Sequence, residues 1–366
     1  MQAYEKKKGK LTHPAEPRFI PFTGTEDELQ KYFLENKMTD GLPIVLPTED
    51  RVLKMLKGTD LKPNKIVNKR FTLGIGSNGQ LEGRNITVEK VAIVSVMAGA
   101  NPEYFPVILA LASYGPPFSS SAQSFTGMAV VHGPIAKKIG MNSEFGALGP
   151  YNHANATIGR AWQLMARNFA FADPGTTLLG TWGNNLQYNC LTFAENQHEQ
   201  IPSGWSSFHV EKGFKKKDNV ISIWSGRGFR QRVGHDIPSL TLKTLENVTF
   251  GGALVLLPSV SARIPSEDYG FRKKKDFRQF LYENSFAKIK EWRSTDLVQT
   301  FHIPGVEIGW SPQIVNKYMK LNNEDLVKRF YSPSQINIMI VGSGAIFFTQ
   351  GGDFELKKMV AIDAWN

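Results

Sequence analysis

Glu195 and His209 are the residues whose types and spacing best suit proton transfer. Glu195 closes the stretch Asn189-Cys190-Leu191-Thr192-Phe193-Ala194-Glu195, and His209 follows a Pro-Ser-Gly turn in Phe208-His209-Val210-Glu211. A carboxylate beside an imidazole can hold, give or take a proton near neutral pH. Three functional arrangements stay open: Glu195 with His198, Glu195 with His209, and Glu195 with His153 as metal donors, carboxylate and imidazole being common ligands. Ordinary hydrogen-bonded residues are the remaining reading. We take Glu195 and His209 as the catalytic pair, assign no metal and name no cofactor. A strand over residues 186–193 puts Cys190, Thr192 and Ala194 on one face and Leu191, Phe193 and Glu195 on the other, which separates Cys190 from Glu195.

The second constellation is Leu148-Gly149-Pro150-Tyr151-Asn152-His153-Ala154-Asn155-Ala156-Thr157-Ile158-Gly159-Arg160. A helix from Asn155 to Asn168, capped by Asn155, leaves the amides of Ala156, Thr157 and Ile158 free to face an anion. Helical spacing buries Ile158, Ala161, Trp162, Met165 and Phe169 and turns Arg160, Gln163 and Arg167 the other way. Arg160 then clamps a carboxylate or phosphate. Asn152, His153, Asn155, Thr157 and Arg160 form the expected anion-binding set, against the plainer reading of a well-capped helix with solvated arginines.

Gly342-Ser343-Gly344, directly after an expected strand over 336–341, adds a second strand-to-loop anion candidate. Ser225-Gly226-Arg227-Gly228, with Arg230, adds a third. The run Gly74-Ile75-Gly76-Ser77-Asn78-Gly79 matches the dinucleotide fingerprint letter by letter, yet no helix opens at its third glycine, so a hairpin loop is expected there. Cys190 has no cation or helix start beside it to stabilise a thiolate, and reads as a buried, inert thiol. The nucleophile elbow, the Walker loop and the His-Glu-x-x-His zinc helix are absent from the sequence.

These residues need a scaffold. Thr25 caps a helix over 25–37 with Glu26, Asp27 and Glu28 in its first turn. The turn Thr39-Asp40-Gly41-Leu42-Pro43 leads to a short strand at 44–46 and a helix over 48–57. Two very apolar helices follow, one from Thr87 to Ala98 and one opened by Pro102-Glu103. Strands are expected at 128–131, 186–193, 220–224, 254–257 and 336–341, and a further helix over 273–290. Helices alternating with short apolar strands predict an α/β fold with layered, mostly parallel sheets flanked by helices, in two lobes. The expected division is a basic N-terminal arm over 1–24, a lobe over 25–215 carrying the anion-binding helix, and a second lobe over 216–366.

With 366 residues, the chain is long enough for about two domains and a substantial core. Its 43 basic and 33 acidic side chains leave a formal net charge of +10, concentrated in Lys6-Lys7-Lys8, Lys215-Lys216-Lys217 and Arg272-Lys273-Lys274-Lys275. Without interleaved aromatics these runs read as solvated loops rather than a nucleic-acid footprint. The single cysteine excludes an intrachain disulfide and any multi-cysteine metal site, in keeping with a reducing compartment. With no long apolar run and no signal-peptide pattern, the expectation is a cytoplasmic protein with no membrane contact.

Thr39-Asp40-Gly41-Leu42-Pro43, Thr87-Val88-Glu89-Lys90-Val91-Ala92, Val96-Met97-Ala98-Gly99-Ala100-Asn101-Pro102-Glu103-Tyr104 and Asn155-Ala156-Thr157-Ile158-Gly159-Arg160 together resemble the UGSC-type (seleno)protein family. That family is itself distantly similar to the selenoprotein B components of amino-acid reductases. The resemblance runs from about Asp40 to Gly213 and more faintly through Leu254 to Leu281 and the Gly342 loop. It implies a selenocysteine or cysteine redox site in some members. This chain departs from the pattern, with Ala100 where longer members carry a cysteine and Ser259-Val260-Ser261 where a histidine is expected near Pro258. The resemblance thus implies an enzyme acting on a small carboxylated molecule by redox chemistry or carbon–heteroatom bond cleavage. The alternative is a non-catalytic binding or regulatory subunit of a heteromeric enzyme that lacks the family's thiol. A small anionic substrate and a homo- or hetero-oligomer are the expected partners.

Overall fold

The computed structural model describes residues 7–12, 19–72, 84–118, 124–197, 201–246, 248, 251–294, 311–344 and 346–366. The Gly74–Gly79 loop, most of the serine-rich loop at 119–124, and His198 lie outside them. Among the described residues no helix is long and apolar enough to cross a membrane.

The chain begins with an antiparallel ribbon, β1 (Lys7–Thr12) on β2 (Phe19–Gly24), within the expected arm. Helix α1 (Glu26–Glu35) starts where the sequence predicts, because Thr25 and Glu28 satisfy each other's backbone amides in a capping box. Residues 44–46 are not a strand. Both backbone groups of Ile44 are taken by the Gln30 side chain, which substitutes for a neighbouring strand. Helix α2 (Glu49–Leu56) precedes a small hairpin, β3 (Ile66–Phe71) with β4 (Arg84–Thr87). Thr87 then caps α3 (Val88–Met97), and α4 (Phe105–Tyr114) follows a single 3-10 turn. Almost every side chain of these two helices is buried, as their apolar composition requires.

The centre of the molecule is a six-stranded sheet in the order β11-β8-β12-β7-β5-β6. Its strands are β5 (Thr126–His132), β6 (Thr192–Ala194), β7 (Val220–Val233), β8 (Ala253–Leu257), β11 (Ile336–Ile340) and β12 (Phe348–Ala361). An α/β fold is present, but the sheet is mixed rather than mostly parallel. Only β5 with β6 and β8 with β11 run parallel, while β7 and β12, 14 residues each, form an antiparallel ribbon through the middle. Strand β7 belongs to residues 216–366 and pairs directly with β5 of residues 25–215.

Side-chain alternation divides the sheet into two faces. Met128 and Val130, Phe193, Trp224, Leu254 and Leu256, Met339, and Phe354 come from all six strands and meet in one cluster. The intervening residues face outward into two other clusters. One joins β5, β6 and the start of β7 to α3, α4 and α6 (His153–Phe169). The other joins β8 and β11 to α8 (Ile237–Leu245), α9 (Ser259–Glu267) and α10 (Lys274–Asn284). The sheet is therefore rolled, with an apolar inside, and its outer strands approach each other where the Asn196 amide donates to the Ile340 carbonyl at 2.8 Å.

Helix α6 lies close to the loop before β6. A Cβ on Gly159 would sit 1.7 Å from the Asn189 carbonyl oxygen, so only glycine permits this approach. The expected strand over 186–193 shrinks accordingly. Residues 185–188 form a 3-10 turn, and Cys190 and Leu191 take left-handed φ angles of 46° and 29° before β6 begins. The expected helix over 273–290 ends at Asn284, after which β9 (Phe286–Lys288), paired with β10 (Leu326–Lys328), and α11 (Ile289–Arg293) complete the segment.

Candidate functional site

Strand β5 ends at His132, just before the short helix α5 (Pro134–Lys138), and the β6 ladder continues one step further, with the Glu195 amide donating to the Val131 carbonyl at 3.2 Å. His132 keeps the parity of Met128 and Val130, Glu195 that of Phe193, and Ser222 that of Trp224. All three side chains therefore cap the apolar interior of the rolled sheet, and all are buried. His132 Nδ1 lies 2.8 Å from a Glu195 carboxylate oxygen, and its Nε2 lies 2.8 Å from Ser222 Oγ. Trp224 Nε1–H donates to Ser222 Oγ at 2.9 Å.

One proton assignment satisfies the row. Nδ1–H of a neutral His132 donates to Glu195, the Ser222 hydroxyl donates to Nε2, and the Trp224 indole donates to Ser222. A second holds a protonated His132, with Ser222 turned to the Val130 carbonyl at 3.4 Å. The row can thus store a proton without a group losing all its partners. Its Glu-His-Ser order matches that of hydrolase triads, but Ser222 is sealed beneath Trp224, so the row orients an imidazole rather than activating a nucleophile.

Helix α7 (Phe208–Glu211) brings the second histidine. Its cap residue Ser207 makes no side-chain cap bond, and the Phe208 amide instead donates to both Glu195 carboxylate oxygens at 2.9 Å. The carboxylate therefore closes the helix start and fixes His209 one residue on. The His209 ring stacks on His132 with centroids 5.5 Å apart. Its Nδ1 meets Gln197 Nε2 at 3.3 Å and Ser207 Oγ at 3.2 Å, whereas its buried Nε2 has no hydrogen-bond partner.

The electrostatics favour a carboxylate and a neutral imidazole. Burial by itself pushes the Glu195 carboxyl up, but the His132 hydrogen bond and charge, the Lys274 ammonium and the Phe208 amide outweigh it and hold the group below its usual range. Burial pushes His209 down, and His132 pushes the same way. Glu195 and the backbone of Lys216 and Lys215 pull back without offsetting them. Lys274 is a correction to the sequence reading of its lysine run as solvated: its side chain is 1% exposed, with Nζ 3.4 Å from the Ile338 carbonyl and 3.7 Å from Glu211.

One ligand atom each from His132, Glu195 and His209 can be chosen so that all lie within 4.8 Å of one another, the donor set of a divalent transition ion. An ion bound there would replace the His132–Glu195 hydrogen bond. His153, weighed in the sequence as one alternative partner of Glu195, contacts the Tyr104 hydroxyl at 3.3 Å.

The expected anion set at the start of α6 is occupied by the protein itself. The helix opens at His153, and its cap is Asn152 rather than Asn155: Asn152 Oδ1 accepts from the Asn155 amide at 2.7 Å. The Asn155 side chain braces the preceding loop through the amide and carbonyl of Asn142 and the carbonyl of Ala147. Thr157 Oγ1 donates to the His153 carbonyl, and the Ala156 amide donates to that of Asn152. Arg160 closes on Asp40 through two hydrogen bonds of 2.8 and 2.9 Å and on the Pro43 carbonyl at 2.7 Å. Its guanidinium has no free fork for a ligand.

Gly342, Ser343 and Gly344 line a cavity together with Leu256, Pro258 and Phe348. Its charged side chain among the described lining residues is Glu144, which opposes an anion. Ser225-Gly226-Arg227-Gly228 is the interior of β7 rather than a loop, and Arg227 pairs with Asp353 at 3.1 Å.

An open pocket of about 690 Å³ beside the His–Glu group is lined by Lys137, Lys138, Lys216, Lys217, Pro134 and Gln197. Gln197 belongs to both places. Its Oε1 accepts from the Gly133 amide, and its Nε2 lies 3.4 Å from Glu195 and 3.3 Å from His209. Cys190 has no share in this group: its sulfur faces Gln163 Oε1 at 3.8 Å, and burial pushes its thiol well above the usual range.

Sequence reasoning missed His132, Ser222 and Lys274. A histidine ending an apolar strand is a signal for the first, and Ser222 and Trp224 share a face of β7, but nothing local ties them to Glu195. No protein-family model matches the chain, and no curated protein matches it.

Proposed function

We propose that the protein is an enzyme acting on a small carboxylated molecule by proton transfer at carbon, leading to carbon–heteroatom bond cleavage. His209 is the group that meets the substrate. Its Nδ1, the nitrogen that Gln197 covers, takes a proton from the carbon next to the carboxylate, or returns one to the departing heteroatom. Glu195 and His132 are positioning residues that hold the imidazole and balance its charge. The four lysines draw in the anion, and displacement of Gln197 opens the way from their pocket to His209. The observation that carries this reading is the double membership of Gln197, in the lysine-lined pocket and in contact with Glu195 and His209. Of the two reaction types implied by the UGSC resemblance, cleavage is favoured over thiol redox chemistry because Cys190 is buried with a raised pKa.

The same reading takes the chain as two lobes sharing one sheet, supported by the separate outer clusters, and places it in the cytoplasm as an oligomer.

The test is incubation with a panel of small 3-hydroxy and 3-amino carboxylates in deuterium oxide, followed by proton NMR. Exchange of a carbon-bound proton is expected with the wild type, abolished in His209→Gln and slowed in the Lys137→Ala/Lys216→Ala variant. Exchange that persists unchanged in His209→Gln rejects the assignment. The buried thiol also favours a second reading, a non-catalytic binding subunit. Carboxylate binding without exchange, and activity regained on adding a cysteine-bearing relative, would establish it.

A further inference from the structure

The residues assigned to proton transfer also make a metal-ligand set. Single donor atoms of His132, Glu195 and His209 lie within 4.8 Å of one another, and all three residues are buried. Donors on a four-coordinate zinc stand about 3.4 Å apart, from bonds of about 2.0–2.1 Å, so side-chain shifts of about 1–1.5 Å bring the set onto one ion. Two imidazoles and a carboxylate select a divalent transition ion over magnesium or calcium, which take oxygen shells.

The surroundings already supply the outer partners that such ligands need. Both Glu195 oxygens accept from the Phe208 amide at 2.9 Å, so Oε1 can keep the start of α7 while Oε2 leaves His132 Nδ1 for the ion. With Nδ1 on the ion, His132 carries its proton on Nε2, 2.8 Å from Ser222 Oγ. That hydroxyl then accepts it and turns its own proton to the Val130 carbonyl at 3.4 Å. A hydrogen bond from the second ring nitrogen is the usual device that orients a metal-bound histidine. His209 has Ser207 and Gln197 beside Nδ1 and no hydrogen-bond partner at its buried Nε2. Ligation through either nitrogen leaves its proton on the other. The Lys274 ammonium and the four lysines of the neighbouring pocket oppose a cation, which lowers its affinity without removing a donor.

We propose that His132, Glu195 and His209 bind one divalent transition ion, and that the loaded site is closed to proton transfer. The second half rests on the proton-transfer reading of His209: with one ring nitrogen on the ion and the other protonated, the imidazole has no lone pair left to take a proton from carbon. The ion and the reaction are then alternative uses of one group, and metal supply regulates the enzyme.

The probe is zinc chloride, titrated by calorimetry into the chelator-treated full chain, with magnesium chloride as the control. One zinc per chain is expected, bound at least about a hundredfold more tightly than magnesium and weakened at least about tenfold in His209→Gln. X-ray absorption at the zinc edge of the wild type, which needs no variant to fold, should show two imidazoles among the nearest neighbours. One equivalent of zinc should abolish deuterium exchange into the carboxylate, and a chelator should restore it. Absence of stoichiometric zinc binding, undiminished binding in His209→Gln, an edge spectrum without two imidazoles, or exchange that zinc leaves unchanged overturns the proposal. Zinc binding by a chain that shows no exchange with or without the ion would uphold the ion site and reject the proton-transfer reading, so the two fail separately.

Discussion

Arg160 and Asp40 are locked together by paired hydrogen bonds across 120 residues of sequence, with the Asp40 side chain 3% exposed. The contact fastens the Thr39–Pro43 turn to α6, which turns an expected ligand clamp into a brace. Arg160→Ala strands a buried carboxylate and should destabilise the fold by about 3 kcal/mol. In urea unfolding, Asp40→Ala/Arg160→Ala should lose less than the two single changes together. A single variant as stable as the wild type would count against the brace.

Glu195 binds His132 and the Phe208 amide at once, so its charge supports both the row and α7. Glu195→Gln should cost about 2 kcal/mol at neutral pH, the scale of hydrogen bonds to a charged group. Because the folded carboxyl lies below its ordinary value of 4.5, its contribution is complete above that pH and is lost as pH falls through the folded value. The stability gap between wild type and Glu195→Gln, measured by denaturant titration from pH 7 downwards, should therefore narrow in acid.

His209 is lowered from its ordinary value of 6.5. Between 6.5 and the folded value the unfolded chain holds the extra proton, so stability declines as pH falls across this window and is highest above it. Unfolding free energies at pH 7.5 and 5.5 should differ less in His209→Gln than in the wild type. An equal or larger difference in the variant would show that His209 does not carry the slope.

Cys190 is fully buried and stays protonated at neutral pH. Aromatic disulfide reagents should leave the native protein unmodified and label it stoichiometrically once unfolded. Cys190→Ser should retain carboxylate exchange. Rapid labelling of the native chain, with inactivation that substrate prevents, would restore a thiol mechanism.

What could be read from the sequence was what residues settle among close neighbours. Thr25 and Thr87 announced their helices because a cap needs only the next three residues, and Phe193 and Glu195 share a face because alternation is local. Glu195 and His209 were legible as candidates, but not the row that holds them: His132 and Ser222 lie 90 residues apart and meet only through the β5–β7 pairing. Lys274 was hidden in a basic run whose other members gave no sign of burial. Strand β12 was obscured by Gly351-Gly352-Asp353, which reads as a turn. A Cβ on Gly351 would meet Thr244, and one on Gly352 would meet Phe229, so these glycines serve close approach within a strand.

The meeting of the sheet's outer strands also shapes how the chain reaches this state. Asn196, just past β6, contacts Ile340 and Gly342, the latter 146 residues away in sequence, and this closure needs β7, β8 and β12 in register first. So high a contact order places folding on the millisecond-to-second side of the single-domain range or slower. Until closure, β6 and β11 present open edges on which another chain can add a strand. Afterwards the Asn196 amide is spent on Ile340, and templated growth is blocked at that point. Aggregation by strand addition should therefore be a hazard of refolding rather than of the finished protein.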